Sequence, residues 1–510
     1  MRSCCAARSP VRPEAAGLAA PRQSTALIAG AGPAGLALAA LLGSAGWQVT
    51  VLEQLAERRA GTRAPTLWPP AMHLLDTLGV GDRVREVSHL VERLRFASDD
   101  GERDLDLGPY AFRTLPQGEL EEILQDRAGA LGATVVRGAT VTSVTTGPDG
   151  RPRVGVDHAA GTTEELTADL LVGADGAHSV VRRQLGIDTV GERYASRFAL
   201  LDFTDTQKLF PRDASITWVG RRGTLVSVPL PAGGTRVVVP VLDPDADPAD
   251  FLMKTAAEHG FPLFADTATW QAEFHVTVAL AETFAHGHIA LIGDAAHMQS
   301  PAGGRGMNNA LEDAFTLASQ LCDKAAGDRQ DIPAALLRYA ALRHAEMDDE
   351  LGAIKATTDR WVGRTGTTAP AEAPERPRRS EIQRTACIHP RRPRTTDGAP
   401  LPPWATAEFT GSRMVLHGTR DTAWPPHPVV LVGAPDAPVA SGLLPDGAWR
   451  ARTATLLDGG TALPPGVYVT TASSDILGHW PWDRLTATDP NPVRTEIGQC
   501  LETQNHEPPH

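Results

Sequence analysis

Three carboxylates at the ends of apolar runs, Glu53, Asp175 and Asp294, and two glycine-rich turns carry the legible chemistry of this 510-residue sequence. The first turn, Gly30-Ala31-Gly32-Pro33-Ala34-Gly35, follows the apolar run Ala26-Leu27-Ile28-Ala29 and leads into a second apolar stretch, Leu36 to Leu42. That order predicts a buried strand, a tight turn and a helix. In such a unit the first glycine allows the turn, the second lets backbone approach a diphosphate, and the third lets helix pack closely on strand. The diphosphate then lies against exposed amides at the positive end of the helix dipole. A further strand, Val49-Thr50-Val51-Leu52, ends on Glu53, 23 positions after Gly30. A carboxylate there can accept hydrogen bonds from ribose hydroxyls. Gly30, Gly32, Pro33, Ala34, Gly35, Glu53 and the adjacent Gln54 are therefore candidate dinucleotide contacts. This element alone does not separate a flavin from a nicotinamide dinucleotide.

Two later stretches narrow the choice. Asp169-Leu170-Leu171-Val172-Gly173-Ala174-Asp175-Gly176 reads as a buried strand and a polar turn, with a helix starting near Ser179. Ile289-Ala290-Leu291-Ile292-Gly293 is a strand that delivers Asp294 to its C-terminal end, where α/β folds place ligands. Pro301-Ala302-Gly303-Gly304-Arg305-Gly306-Met307-Asn308 then opens a long helix. These motifs, spread from Ala26 to about Trp361, together resemble the class A flavoprotein monooxygenases of the para-hydroxybenzoate hydroxylase type, which include aromatic and polyketide hydroxylases.

That resemblance implies FAD as cofactor and NADPH or NADH as electron donor. It assigns Asp175, Gly176, Ser179 and Arg182 to the flavin and the donor, and Gly293 and Asp294 to the ribityl chain. It also sets Pro301, Gly303, Gly304, Gly306, Met307 and Asn308 against the flavin, with Pro301 and Gly303 toward the reacting face. The positive end of the following helix would stabilise negative charge on reduced flavin. Ala310 stands where many relatives carry a third glycine. Arg63, before the helix-like Met72-His73-Leu74-Leu75, resembles a flavin-contacting arginine, and Gln117 resembles a glutamine near the flavin of polyketide hydroxylases.

The implied cycle is reduction of FAD by the donor, addition of O2 at flavin carbon 4a, and transfer of the distal hydroperoxide oxygen to a small aromatic or polyketide-like substrate. The difficult chemistry belongs to the cofactor. A base that takes a phenolic proton would make the ring more electron-rich. Tyr194, His275 and Arg222 are polar residues in the region expected to meet the substrate, and no catalytic side chain is assigned among them. Phe198, Leu200, Phe203, Trp218, Leu225 and Leu230 suit either an apolar pocket or a sheet core. A Baeyer–Villiger oxygenase shares every motif and stays an alternative. A flavin-binding regulator without turnover is a second, against which the intact Glu53, Asp175 and Asp294 argue. A flavin-dependent halogenase is discounted, because Trp480-Pro481-Trp482 continues as Asp483-Arg484 and lies too late for that group's signature.

Positioning these residues takes an α/β framework. Residues 25–190 alternate short strands with helical patterns, as in the first part of a Rossmann-like FAD-binding domain. Residues 191–284 turn strand-rich, with Ser215 to Val219 and Val237 to Val241 as clear runs, and read as an inserted β-rich substrate domain. Residues 285–363 complete the first domain with long helices around Asn308–Leu321 and Leu336–Trp361. Residues 1–24 read as a disordered tail and 364–400 as a Pro/Arg-rich linker. Residues 401–510 read as a small C-terminal α/β or β domain, thioredoxin-like by resemblance but without a Cys-x-x-Cys pair.

Composition sets outer limits. The chain is 42% hydrophobic, and its longest apolar candidate, Ala26 to Leu42, is broken by Gly30, Gly32, Pro33 and Gly35, so no membrane span is expected. The N-terminal arginines precede no apolar leader core. Five cysteines show no metal-type spacing, and His286 and His288 precede a buried strand, so neither a metal nor a disulfide framework is expected. A reducing cytoplasm fits. The net charge of −13 argues against nucleic acid as a partner.

Overall fold

Five strands run parallel through the core of the cofactor domain, a feature foreshadowed by their near-continuous apolar sequences. Their order is Ile289–Leu291, Leu170–Gly173, Thr25–Ala29, Gln48–Glu53 and Thr134–Arg137, with the antiparallel Ala285–His286 at one edge. The computed structural model describes residues 23–58, 64–263, 268–322 and 331–364, together with the backbone of eight short strands between 407 and 481.

Among the described residues the α-helices are α1 (Pro33–Ser44), α2 (Pro69–Thr77), α3 (Gly81–Val87), α4 (Gln117–Ala130), α5 (Val180–Gln184), α6 (Pro248–Glu258), α7 (Gly306–Leu321) and α8 (Ile332–Trp361). α1 is buried from Pro33 to Leu42 and packs on both α4 and α7, which is why its sequence is apolar all round. Pro33 starts it, where a missing N–H costs nothing. α8 is capped by Asp331, whose carboxylate accepts the Ala334 N–H at 3.1 Å. An antiparallel meander of Ala139–Thr146, Pro152–His158 and Thr163–Thr167 lies between the strand Thr134–Arg137 and the strand Leu170–Gly173 in the chain.

The second large sheet has eight strands, in the order His297–Met298, Ala268–Ala281, Thr189–Thr204, Gly234–Val241, Gly223–Pro229, Ala214–Gly220, Arg93–Ser98 and Gly101–Asp106. It reaches beyond the segment 191–284 in both directions. The hairpin Arg93–Asp106 joins one edge through a parallel pairing with Ala214–Gly220, and His297–Met298 joins the other. The strand Thr189–Thr204 also runs across the boundary drawn at residue 190.

Alternation divides this sheet into two faces. Leu201, Phe203, Val237 and Val239 pack with Leu252 and Ala256 of α6. Val226, Val238, Ala272 and Phe274 look the other way, into a cavity.

In the C-terminal segment the described backbone consists of strands, among them Arg413–Val415 and Val429–Val432. Apart from Gln23, Ser24 and Arg364, the expected tail and linker lie outside the described residues.

Candidate functional site

One cavity of about 2040 Å³ runs from the glycine turn after the first strand to the inner face of the eight-stranded sheet. At the glycine-turn end, Gly30 has φ +106°, and a Cβ there would lie 2.3 Å from the Ala174 carbonyl oxygen. A Cβ on Gly35 would lie 2.1 Å from the Gly30 carbonyl oxygen, so Gly35 works by letting helix meet turn and does not line the cavity. Gly32 is the opposite case, with nothing within 4 Å of where a Cβ would project and open cavity before it. Pro33, Ala34 and Gln54 line the same wall. Glu53 is held rigidly at the end of its strand, since Oε2 accepts the Ala31 N–H and Oε1 the Leu55 N–H, each at 2.9 Å.

The second motif divides between cavity and core. Asp175 and Gly176 line the cavity. Asp175 Oδ2 accepts the Val180 N–H at 2.6 Å and the Val181 N–H at 3.2 Å, which caps α5. Its Oδ1 is buried without a hydrogen-bond partner among the described residues. Ser179 and Arg182 are buried and do not line the cavity. Ser179 Oγ accepts the Arg182 N–H at 2.9 Å, and the Arg182 guanidinium donates to the carbonyls of Ala295 (2.8 Å) and Ala177 (2.9 Å). Arg182 thus ties the second motif to the third. The exposed motif residues on the cavity are His178 and Arg183.

In the third motif the strand Ile289–Leu291 delivers Gly293 and Asp294 to the cavity wall. The turn is set from behind by Asp313 of α7, whose Oδ2 accepts the Gly293 N–H at 2.8 Å and lies 2.6 Å from His297 Nε2. Its Oδ1 accepts from Arg343 Nε at 2.7 Å. Burial would raise the Asp313 carboxyl, but His297, Arg343 and the Gly293 amide outweigh it and hold it below the usual carboxylate range. Glu350 of α8 follows the same pattern. Burial pushes it up, while Arg305, with Nε 2.9 Å from Oε1, and Asn309 bring it down. These buried charges brace the floor on which the glycine-rich turn rests.

Pro301, Gly303, Gly304, Gly306 and Met307 all line the cavity. The Gly304 N–H donates to the Pro301 carbonyl at 2.9 Å and Gly303 has φ +82°, which makes a type II turn that needs glycine at its third position. Asn308 belongs to the support and does not line the cavity. Its Oδ1 accepts the Trp68 N–H at 2.8 Å, and its Nδ2 donates to the carbonyls of Thr66 (3.0 Å) and Gly304 (2.8 Å). Trp68 completes the clamp, with Nε1 donating to the Gly303 carbonyl at 2.9 Å and its ring centroid 4.6 Å from that of Phe112. Gln117 lines the cavity and donates to Glu121 at 2.7 Å. Arg63 lies outside the described residues.

The three candidate bases separate. Tyr194 is buried away from the cavity, its hydroxyl donating to Asp359 at 2.8 Å, and burial together with the Asp359 charge raises its phenol above the ordinary value. Arg222 donates to the Glu258 carbonyl at 2.8 Å on the exposed surface. His275 alone reaches the cavity wall. None of the six apolar residues read from the inserted segment lines the cavity. Phe203 and Leu225 pack on the α6 side, and Phe198 and Leu200 lie in the main core. The wall is formed instead by Phe96, Val226, Val238, Trp270 and Phe274. The alternation Trp270-Ala272-Phe274-Val276 was a usable signal for it. Trp68 and Asp313 had none, since each acts through a long-range hydrogen bond.

Comparison with known proteins agrees with this geometry. A protein-family model described as an FAD binding domain matches residues 23–349. An uncharacterized aromatic compound monooxygenase of Bacillus subtilis is 31% identical over 350 residues, covering 65% of this chain and 68% of the relative. A rifampicin monooxygenase of Streptomyces venezuelae is 32% identical over 344 residues, covering 65% and 70%. Among solved structures, p-nitrophenol 4-monooxygenase of Pseudomonas putida shares the fold at a TM-score of 0.60 and 22% identity, over 72% of this chain and 93% of that one. A flavin-dependent halogenase also shares it, at 0.58 and 20% identity over 68% of each chain, so the fold by itself does not select the reaction.

Proposed function

The chain belongs to the FAD binding domain family, in its class A flavoprotein monooxygenase branch, and from that premise we propose that it hydroxylates an aromatic or polyketide-like small molecule with NADPH or NADH and O2. The observation that carries the reading is the single cavity, which exceeds the roughly 300–1,000 Å³ of an ordinary ligand pocket and joins a nucleotide cradle to an apolar wall. The relatives named above as monooxygenases of aromatic compounds and of rifampicin support it.

The cradle fits FAD in its own chemistry. Gly32 leaves open space where a diphosphate needs backbone, Glu53 presents a fixed carboxylate, and Asp175 Oδ1 is a buried acceptor in want of a donor. Gly30, Gly32, Pro33 and Ala34 would hold the diphosphate at the α1 N-terminus. Glu53 would take the ribose hydroxyls, with Gln54 beside it. Asp294 would take the ribityl hydroxyls, with Gly293, Asp175, Gly176 and Gln117 completing that wall. Bound FAD would supply the redox chemistry, passing reducing equivalents from the nicotinamide donor to O2. The Gly303–Met307 amides at the positive end of α7 would face the developing negative charge. Pro301 and Gly303 would border the substrate, while the sheet face excludes water. A cytoplasmic setting suits a donor-dependent enzyme, and among the described residues no helix is long and apolar enough to cross a membrane.

The test is a visible spectrum of the purified protein, followed by donor oxidation and oxygen uptake with a panel of phenols and polycyclic phenols. A two-banded flavin spectrum with substrate-stimulated uptake and hydroxylated product is expected. Protein that stays colourless after reconstitution with FAD overturns the cofactor, and conversion of ketones to esters in place of phenol hydroxylation overturns the reaction type.

A further inference from the structure

Strand pairing sets Phe96, Thr217, Val226 and Val238 in one row across four neighbouring strands of the large sheet. All four line the cavity, as do Ser215 and Val219, which flank Thr217 on the same side of its strand. The alternate residues Ile216 and Trp218 pack with the α6 cluster, so Thr217 is turned inward.

Around Thr217 the wall is mostly aliphatic, with Val219, Val226, Val228 and Val238. Its polar neighbours on this face are already engaged. Ser215 Oγ donates to the Ser227 carbonyl at 2.7 Å, and the Arg236 guanidinium donates to both oxygens of Asp202. Thr217 is half-buried, and its Oγ1 is accessible and has no hydrogen-bond partner among the described residues.

Threonine and valine have nearly the same shape and both suit a strand, so packing alone does not explain one hydroxyl among valines. Water satisfies the hydroxyl while the cavity holds solvent. Once a ring covers the wall that water is displaced, and a hydroxyl left without a partner is costly. An oxygen on the ring supplies the partner, either accepting or donating, because a hydroxyl can do both. A ring of the same outline that presents only carbon there leaves the hydroxyl unpaired.

We infer that Thr217 is a specificity-determining residue, whose hydroxyl selects ring systems carrying an oxygen substituent on the edge that lies against the sheet. This rests on the proposed function in one respect, that the substrate occupies the sheet end when FAD fills the other.

The experiment measures binding of naphthalene, 2-naphthol and 2,7-naphthalenediol to the FAD-loaded full chain by equilibrium dialysis. Thr217→Val keeps the shape and removes the hydroxyl. It is expected to weaken at least one oxygenated probe by about three- to tenfold, the range of one neutral hydrogen bond, without weakening naphthalene. Thr217→Ser, which retains the hydroxyl, is expected to keep the preference for the oxygenated probe. Equal weakening of all three probes in Thr217→Val would assign Thr217 to packing and overturn the inference. Unchanged affinities in that variant overturn it too, as does a wild type that binds none of the probes. Flavin absorbance of the same samples keeps the two ideas apart, since failure to take up FAD overturns the cofactor reading instead.

Discussion

At the proposed nucleotide end of the cavity, the wall offers backbone and fixed carboxylates: Gly32 opens onto space, Glu53 is held by two amides, and Asp175 caps α5. At the sheet end the wall is made of side chains on strands far apart in sequence, such as Phe96, Val226 and Trp270. The nucleotide end therefore tolerates little change at a few contiguous residues. The sheet end can vary residue by residue while its strand pairing stands. A cofactor common to a family and a substrate particular to one member suit that division.

The sharpest way to break the comparison is at Gly30. Gly30→Val combines a left-handed φ with a clash against the Ala174 carbonyl, and should cost roughly 3 kcal/mol or more with loss of bound flavin. Flavin-to-protein ratio and thermal melting measure both. If Gly30→Val keeps full flavin and an unchanged melt, the backbone account of this end is wrong.

Next is the floor beneath the glycine-rich turn. Asp313→Ala leaves Arg343 buried without its main counter-charge and should cost about 3–5 kcal/mol in a chemical melt. Its pH dependence has a definite sign. A carboxyl held low in the folded chain stabilises above its unfolded value of about 4, and that contribution is lost as pH falls through the lower folded value. The stability gap between wild type and Asp313→Ala should therefore be full at neutral pH and shrink on acidification below about pH 4.

Trp68 tests the border between the two ends. Trp68→Phe keeps an aromatic ring against Phe112 but leaves the Gly303 carbonyl without its donor, at a cost of about 1–3 kcal/mol. Weaker FAD affinity is expected, read by flavin fluorescence titration, and equal affinity would show that the indole N–H does not hold the turn.

Val226→Ala, at the sheet end, should raise the substrate KM by about tenfold, within the range expected for lost methyl groups in a pocket. FAD affinity should not change, and a parallel loss of flavin would erase the distinction between the ends. The smallest effect belongs to Tyr194→Phe. Loss of its bond to Asp359 should lower stability by about 1 kcal/mol and leave turnover and its pH profile alone.

The nucleotide end was legible in the amino-acid order because its chemistry is local. A turn that brings backbone to a diphosphate needs its glycines within six residues, and a strand that ends on an acid shows the acid next to the strand. Gly30, Gly32, Pro33, Ala34, Glu53 and Gln54 were read that way, Asp175, Gly176 and Asp294 were assigned with the help of the family resemblance, and all line one cavity. Amino-acid order did not show which motif residues turn inward, off the cavity. Ser179, Arg182 and Asn308 have polar side chains whose partners, such as Ala295 and Thr66, lie far along the chain.

By itself, then, the sequence determined the alternation of strand and helix, the three glycine and carboxylate motifs, and the α/β class with its β-rich insertion. Tertiary structure decided which face of the inserted strands meets the cavity, and it brought the hairpin Arg93–Asp106 into the same sheet. It also set Trp68 on Gly303 and paired Asp202 with Arg236. The physical reason is that hydrogen-bond geometry along a turn is settled by neighbours in sequence, whereas the orientation of a strand face depends on what packs behind it. Here that is α6, whose cover over Val237 and Val239 turns Arg236 and Val238 inward to the cavity.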